Sequence, residues 1–116
     1  MESIAAIKAL AALAQEHRLA VFRLLVRRGP GGLPAGEIAR TIGISASAMS
    51  FHLAQLEHAR LVRSWRRHRR IYYAVEIDAV RRLLAFLTQD CCQGRPELCG
   101  DIASLPEVCA AEEAGS

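Results

Sequence analysis

Apolar residues keep a helical period through the first half of the chain. From Ser3 to Ala14 the positions Ile4, Ile7, Leu10, Ala11 and Ala14 recur every three or four residues, which predicts a first helix. A second is predicted from about His17 to Arg28, with Leu19, Val21, Phe22, Leu24, Leu25 and Val26 supplying its apolar face. The cluster Gly29-Pro30-Gly31-Gly32-Leu33-Pro34 ends it, because proline brings no amide donor and glycine favours turns. Ala35 to Ile42 reads as a short third helix packed through Ile38, Ala39 and Ile42, and Gly43 stands where a helix closes on a left-handed residue. Ser45 or Ser47 can cap a fourth helix running to about Ala59, with Met49, Leu53 and Leu56 turned inward.

The period then changes. Leu61 to Trp65 and Arg70 to Val75 alternate in character and hold the β-formers Val62, Trp65, Ile71, Tyr72, Tyr73 and Val75, so two strands and a tight arginine-rich loop are predicted. A helical stripe returns from Ile77 to Gln89 through Ile77, Val80, Leu83, Leu84 and Leu87. Asp90 to Ser116 shows no strong period and carries Gly94, Pro96, Gly100 and Pro106, which predicts a loosely ordered extension. The chain thus divides into a mainly α domain with a β-hairpin at residues 1–90 and a cysteine-containing acidic extension at residues 91–116. No internal repeat is evident.

Composition narrows the class. The chain has 116 residues, 52% of them hydrophobic and 23% charged, a balance expected of one globular domain. Aromatic residues make up 5%, so aliphatic side chains must fill the core. No apolar run reaches the roughly 18 residues a membrane span needs, and no basic segment leads into an apolar block with a cleavage site. The expected setting is soluble and cytoplasmic, with no membrane partner.

The net charge of +3 hides an asymmetry. Between Ile44 and Tyr73, Arg60, Arg63, Arg66, Arg67, Arg69 and Arg70 face the single acid Glu57. From Asp90 onward, six acids face Arg95 alone. A polyanion is therefore expected to meet the first region and not the second. Two short helices separated by Gly43 and followed by a basic hairpin make a winged helix-turn-helix. One helix fits the major groove of duplex DNA while guanidinium groups neutralise phosphates. Ser45, Ser47 and Ser50 stand near the N-terminal end of the reading helix, whose free amides also favour a phosphate. Arg66, Arg67, Arg69 and Arg70 at the hairpin tip flank the backbone or enter a minor groove. The plainer alternative, a merely solvated charged loop, is weakened by the helices that precede it. His52 is expected to be packed or hydrogen-bonded, and His17, His58 and His68 to be surface or locally bonded; Phe51 either touches a thymine methyl or packs.

The segments Glu37-Ile38-Ala39, Ile42-Gly43-Ile44-Ser45, Met49-Ser50-Phe51-His52-Leu53, Leu56 and Ala59 through Val62 resemble the winged-helix repressors of the ArsR/SmtB family. The likeness covers about residues 4 to 92. It implies a homodimer joined through the first and last helices and bound to a near-palindromic double-stranded operator. Two positions depart from the family pattern. Arg60 stands where glycine is usual, at a cost of about 1 kcal/mol if left-handed but with a further phosphate contact on offer. The hairpin tip also lacks its expected glycine.

All four cysteines, Cys91, Cys92, Cys99 and Cys109, lie in the extension. In a chain without an export signal, such clustering points to metal or redox chemistry rather than a disulfide framework. Two inducer sites known in the resembled family are ruled out. No cysteine pair precedes the reading helix, and Asp78 is followed two residues later by Val80 on a last helix without histidine. Thiolates select thiophilic ions. Trivalent arsenic or antimony takes three sulfurs in a pyramid, and Gln93-Gly94-Arg95-Pro96 can turn Cys99 back toward Cys91 and Cys92. The stretch Cys91 to Cys99 resembles the C-terminal site of an arsenic-responsive subgroup, which implies As(III) or Sb(III) as inducer, an organic trivalent arsenical being able to use Cys91 and Cys92 alone. Cys109 is the less expected ligand, and DNA binding itself requires no cofactor. Thiol-redox or persulfide sensing, another soft metal, and a DNA-architectural role without ligand stay open. A reductase is disfavoured: no Cys-x-x-Cys, phosphate cradle or ready base accompanies the thiols.

Overall fold

The structure, a computed structural model, describes residues 1–89. The acidic extension, all four cysteines and the boundary drawn at residue 90 lie outside the described residues. The elements run α1 (Ser3–Leu13), α2 (Glu16–Arg28), β1 (Leu33–Pro34), α3 (Ala35–Ile42), α4 (Ala46–His58), β2 (Val62–Arg67), β3 (Arg70–Val75) and α5 (Ile77–Thr88). This is the expected winged helix-turn-helix, mainly α with an antiparallel hairpin.

Residues 29–34, expected as a loop, contain the two-residue strand β1. Leu33 pairs with Tyr73 and Pro34 with Tyr72, so the sheet order is β1-β3-β2. A proline is tolerated there because β1 is an edge strand and need not donate to a neighbour on its outer side. Gly32 fixes the approach: its φ is +67°, and a side chain there would stand 2.5 Å from the Tyr73 carbonyl oxygen and 2.8 Å from the Trp65 ring. Two residues are too few to display a period, which is why pattern alone reads them as loop.

The core lies where α2, α3 and α4 meet the hairpin base. Val21, Leu25, Ile38, Met49, Leu53, Leu56 and Leu61 are essentially sealed from solvent, with Val62 and Val75 closing the layer from the sheet. α2 begins on Gln15, whose side-chain oxygen accepts from the Arg18 amide at 2.9 Å. It ends with Arg27 and Arg28 in its last turn, where cations suit the negative end of the helix.

The terminal helices leave many of their bulky apolar residues outside. α1 turns Ala6, Ala9 and Ala12 to the core, whereas Ile4 and Ile7 are 67% and 64% exposed and Leu10 is 42% exposed. Alanines let α1 lie close against α2 and α4, and the bulky side chains read from the sequence as its stripe face outward. α5 packs against α1, buries Ala79 and Leu83, and leaves Ile77, Leu84 and Leu87 uncovered. Apolar side chains grouped on an outer face mark an interaction surface.

Candidate nucleic-acid interface

The α3–α4 turn is set by two local devices. Gly43 closes α3 at φ 87°, ψ 35°, with its amide 2.8 Å from the Ala39 carbonyl; a residue with a Cβ would be strained there. Ser45 then caps α4: its hydroxyl accepts from the Ala48 amide at 3.1 Å and meets the Ser47 hydroxyl at 3.3 Å. Of the two capping candidates, Ser45 takes the role. No acid stands in the first turn of α4, so its unpaired amides and positive end are open to a phosphate.

Ser47, Ser50 and Phe51, at i, i+3 and i+4, share the outer face of α4 and are all exposed. Phe51 is 58% exposed, so of its two expected roles packing falls away. Two hydroxyls and an aromatic edge can meet base edges and thymine methyls. His52, the next residue on α4, is half-buried, its ring centroid 5.6 Å from that of His17 and 5.6 Å from that of Phe51. Its Nδ1 is buried without a hydrogen-bond partner among the described residues. Burial, followed by the charges of Arg18 and His17, holds its pKa below the ordinary histidine value and favours the neutral form.

α4 closes in a Schellman arrangement. The Arg60 amide donates to the Glu57 carbonyl at 2.9 Å and the Leu61 amide to the Leu56 carbonyl at 3.0 Å, while Leu56 and Leu61 both enter the core. Arg60 occupies the left-handed position with φ 63°, as the departure from glycine implies, and its side chain is exposed beside the reading helix.

In the wing, β2 and β3 pair from Val62↔Val75 to Arg67↔Arg70, leaving His68 and Arg69 as the two-residue loop. Both have positive φ, 51° and 71°, the requirement of a type I′ hairpin met without glycine. The loop presents Arg66, Arg67, Arg69 and Arg70 as exposed residues. Arg70 also approaches Glu37 of α3 at 3.7 Å, which ties the wing to the helix-turn-helix. Trp65 and Tyr72, opposite each other in the register, stack at 5.9 Å, and the Arg63 guanidinium lies 4.7 Å from the Trp65 ring centroid. These aromatic contacts stiffen the hairpin that carries the arginines, a role the sequence shows only as β-formers. The structure thus places Ser45, Ser47 and Ser50 toward the N-terminal end of α4 and the tip arginines on the wing, while Arg60 follows the C-terminal end of α4, close to Glu57, Glu76 and Asp78.

Residues 13–64 match the family model of a helix-turn-helix domain, HTH_20. The chain is 37% identical over 79 residues to the HTH-type transcriptional regulator YgaV of Escherichia coli K12, spanning 68% of this chain and 80% of that one. It belongs to the helix-turn-helix transcriptional regulators. The regulator is also 35% identical over 79 residues to the nodulation protein NolR of Rhizobium meliloti, covering 62% of that protein's length. Among solved structures, reduced HlyU from Vibrio cholerae matches at TM-score 0.58 and 32% identity, over 73% of this chain and 90% of that one. A possible transcriptional regulator for arsenical resistance matches at 0.62 and 27%, over 71% and 82%. The homodimeric winged helix-turn-helix domain Mb0332 of Mycobacterium bovis, at 0.61 and 24% over 77% and 81%, shares the fold. No helix of the described residues is long and apolar enough to cross a membrane.

Proposed function

We propose that this regulator is a homodimeric transcriptional repressor, held on operator DNA in its ligand-free form and released when trivalent arsenic or antimony binds thiolates of its C-terminal extension. The observation that carries the reading is the Cys91-Cys92 pair, three and four residues beyond the end of α5 in sequence, with Cys99 seven positions after Cys92, past Gly94 and Pro96. Two adjacent thiolates and a third folded back supply the three sulfurs a pyramidal metalloid takes; an organic trivalent arsenical needs fewer. The uncovered apolar faces of α1 and α5 support a dimer through those helices, as does the homodimeric state of the Mb0332 domain. One structural relative is described as a possible regulator for arsenical resistance. Ser45, Ser47, Ser50 and Phe51 read the groove, and Arg60, Arg66, Arg67, Arg69 and Arg70 hold phosphates.

Release is a linkage effect. Metalloid captured at the end of a dimerisation helix favours a dimer geometry in which the two reading helices no longer match successive grooves. Inducer and DNA then weaken each other by one coupling free energy, typically about 1–3 kcal/mol. A second reading has a specific support, since HlyU is described in a reduced form. There, two thiolates give two electrons to a peroxide, which leaves as water, and join as a disulfide.

An operator gel shift in the presence of arsenite, antimonite, zinc or peroxide separates these readings. Loss of the shifted band with arsenite or antimonite supports metalloid release, and loss with peroxide alone supports the redox form. A band that survives all four contradicts both.

A further inference from the structure

A cleft of about 600 Å³ opens between α1, the first turn of α2 and the last turn of α4. Its polar lining consists of Lys8, Arg18, Gln55 and His58, set over the apolar floor of Ala12 and Ala59. Every one of these polar side chains offers an N–H, and no carboxylate is among the lining residues. Lys8, Arg18 and His58 form no ion pair among the described residues, whose pairs are Arg70–Glu37 and Arg81–Asp78. Arg18 is half-buried, which holds its side chain in place along the cleft wall. A half-buried guanidinium sharing a cleft with an ammonium and an imidazole, with no carboxylate to neutralise them, is an arrangement that an oxyanion completes.

We propose that this cleft is a binding site for a small organic oxyanion, carboxylate- or phosphate-bearing. Lys8, Arg18, Gln55 and His58 hold its oxygens while its carbon skeleton rests on Ala12 and Ala59. The volume falls within the ~300–1,000 Å³ typical of small-molecule sites and exceeds what one inorganic ion fills. Position gives the site a consequence. α1 carries the uncovered Ile4, Ile7 and Leu10, and α4 carries Ser47, Ser50 and Phe51, so an occupant bridging them joins the outer apolar face to the reading helix. The site uses no sulfur and stands independently of the metalloid reading.

Thermal unfolding of the full chain tests it, with citrate or inorganic phosphate titrated against chloride at matched ionic strength. The Tm is expected to rise saturably with at least one of the two anions. Citrate alone assigns the ligand to carboxylates, phosphate alone to phosphates, and both to oxyanions in general. Lys8→Gln and Arg18→Gln are each expected to weaken the apparent dissociation constant roughly tenfold, as expected when one charge-assisted hydrogen bond is removed. Arg66→Gln/Arg67→Gln, in the wing, leaves it unchanged. Because Lys8 is exposed, its variant carries the test even if the Arg18 variant fails to fold. Amide shifts on citrate or phosphate addition are expected at Ala11, Gln55 and Ala59. A Tm that follows ionic strength alone, a Lys8→Gln chain that titrates like wild type, or shifts confined to the wing overturns the assignment. Cys91→Ser/Cys92→Ser keeps the response, so failure here and failure of metalloid sensing are told apart.

Discussion

Arg60 shows how a single residue is held against its backbone preference. Its positive φ is imposed by the bonds that close α4 and by Leu56 and Leu61 packing together on either side of the turn. Glycine at this position avoids the Cβ clash and is expected to raise unfolding free energy by about 1 kcal/mol. The same change removes a guanidinium beside the reading helix. Arg60→Gly is therefore predicted to be more stable in urea denaturation and weaker on operator DNA, a combination that a purely structural arginine does not produce. Equal or tighter DNA binding by the variant contradicts a phosphate role. Phe51 is informative in a different way: its place on α4 follows from the sequence, but only the fold shows that it faces outward.

At the scale of elements, the wing has a measurable signature. Phosphate contacts release condensed counterions, so Arg66→Gln/Arg67→Gln should lower affinity across DNA sequences and reduce the slope of log affinity against log salt by roughly 1 for each phosphate no longer neutralised. An unchanged slope places those arginines away from the backbone. The elements themselves were largely legible, because punctuation marks them: Gly43 and Ser45 bracket the turn, and the change to alternating β-formers announces the hairpin. β1 was not legible, since two residues flanked by glycines carry no period. Nor was the orientation of α1. Alanine on one face and isoleucine on the other are both apolar, and spacing gives a period without saying which side meets the core. The tip loop was legible in place but not in type, because His68 and Arg69 adopt positive φ without glycine. The cleft donors were invisible to pattern reading, lying on three helices and brought together only by folding.

For the whole molecule, the outward apolar face of α1 bears on assembly. Bulky apolar residues grouped outside on both terminal helices mark an interaction surface, and each such side chain contributes roughly 1.5–3 kcal/mol when fully buried. Ile7→Glu/Leu84→Glu is predicted to raise the dimer dissociation constant at least about a hundredfold in sedimentation equilibrium while helical content by circular dichroism is retained. A variant as dimeric as wild type places the interface elsewhere. Sensing is proposed to reside in residues 91–99, whose thiols were legible as chemistry and lie outside the described residues. Arsenite bound by sulfur just beyond α5 in sequence is proposed to loosen the dimer from DNA. Fluorescence anisotropy of a labelled operator complex, titrated with arsenite, reads that release. The wild-type complex is predicted to dissociate, with Cys91→Ser and Cys92→Ser staying bound at the same arsenite concentration; equal release from all three proteins contradicts it.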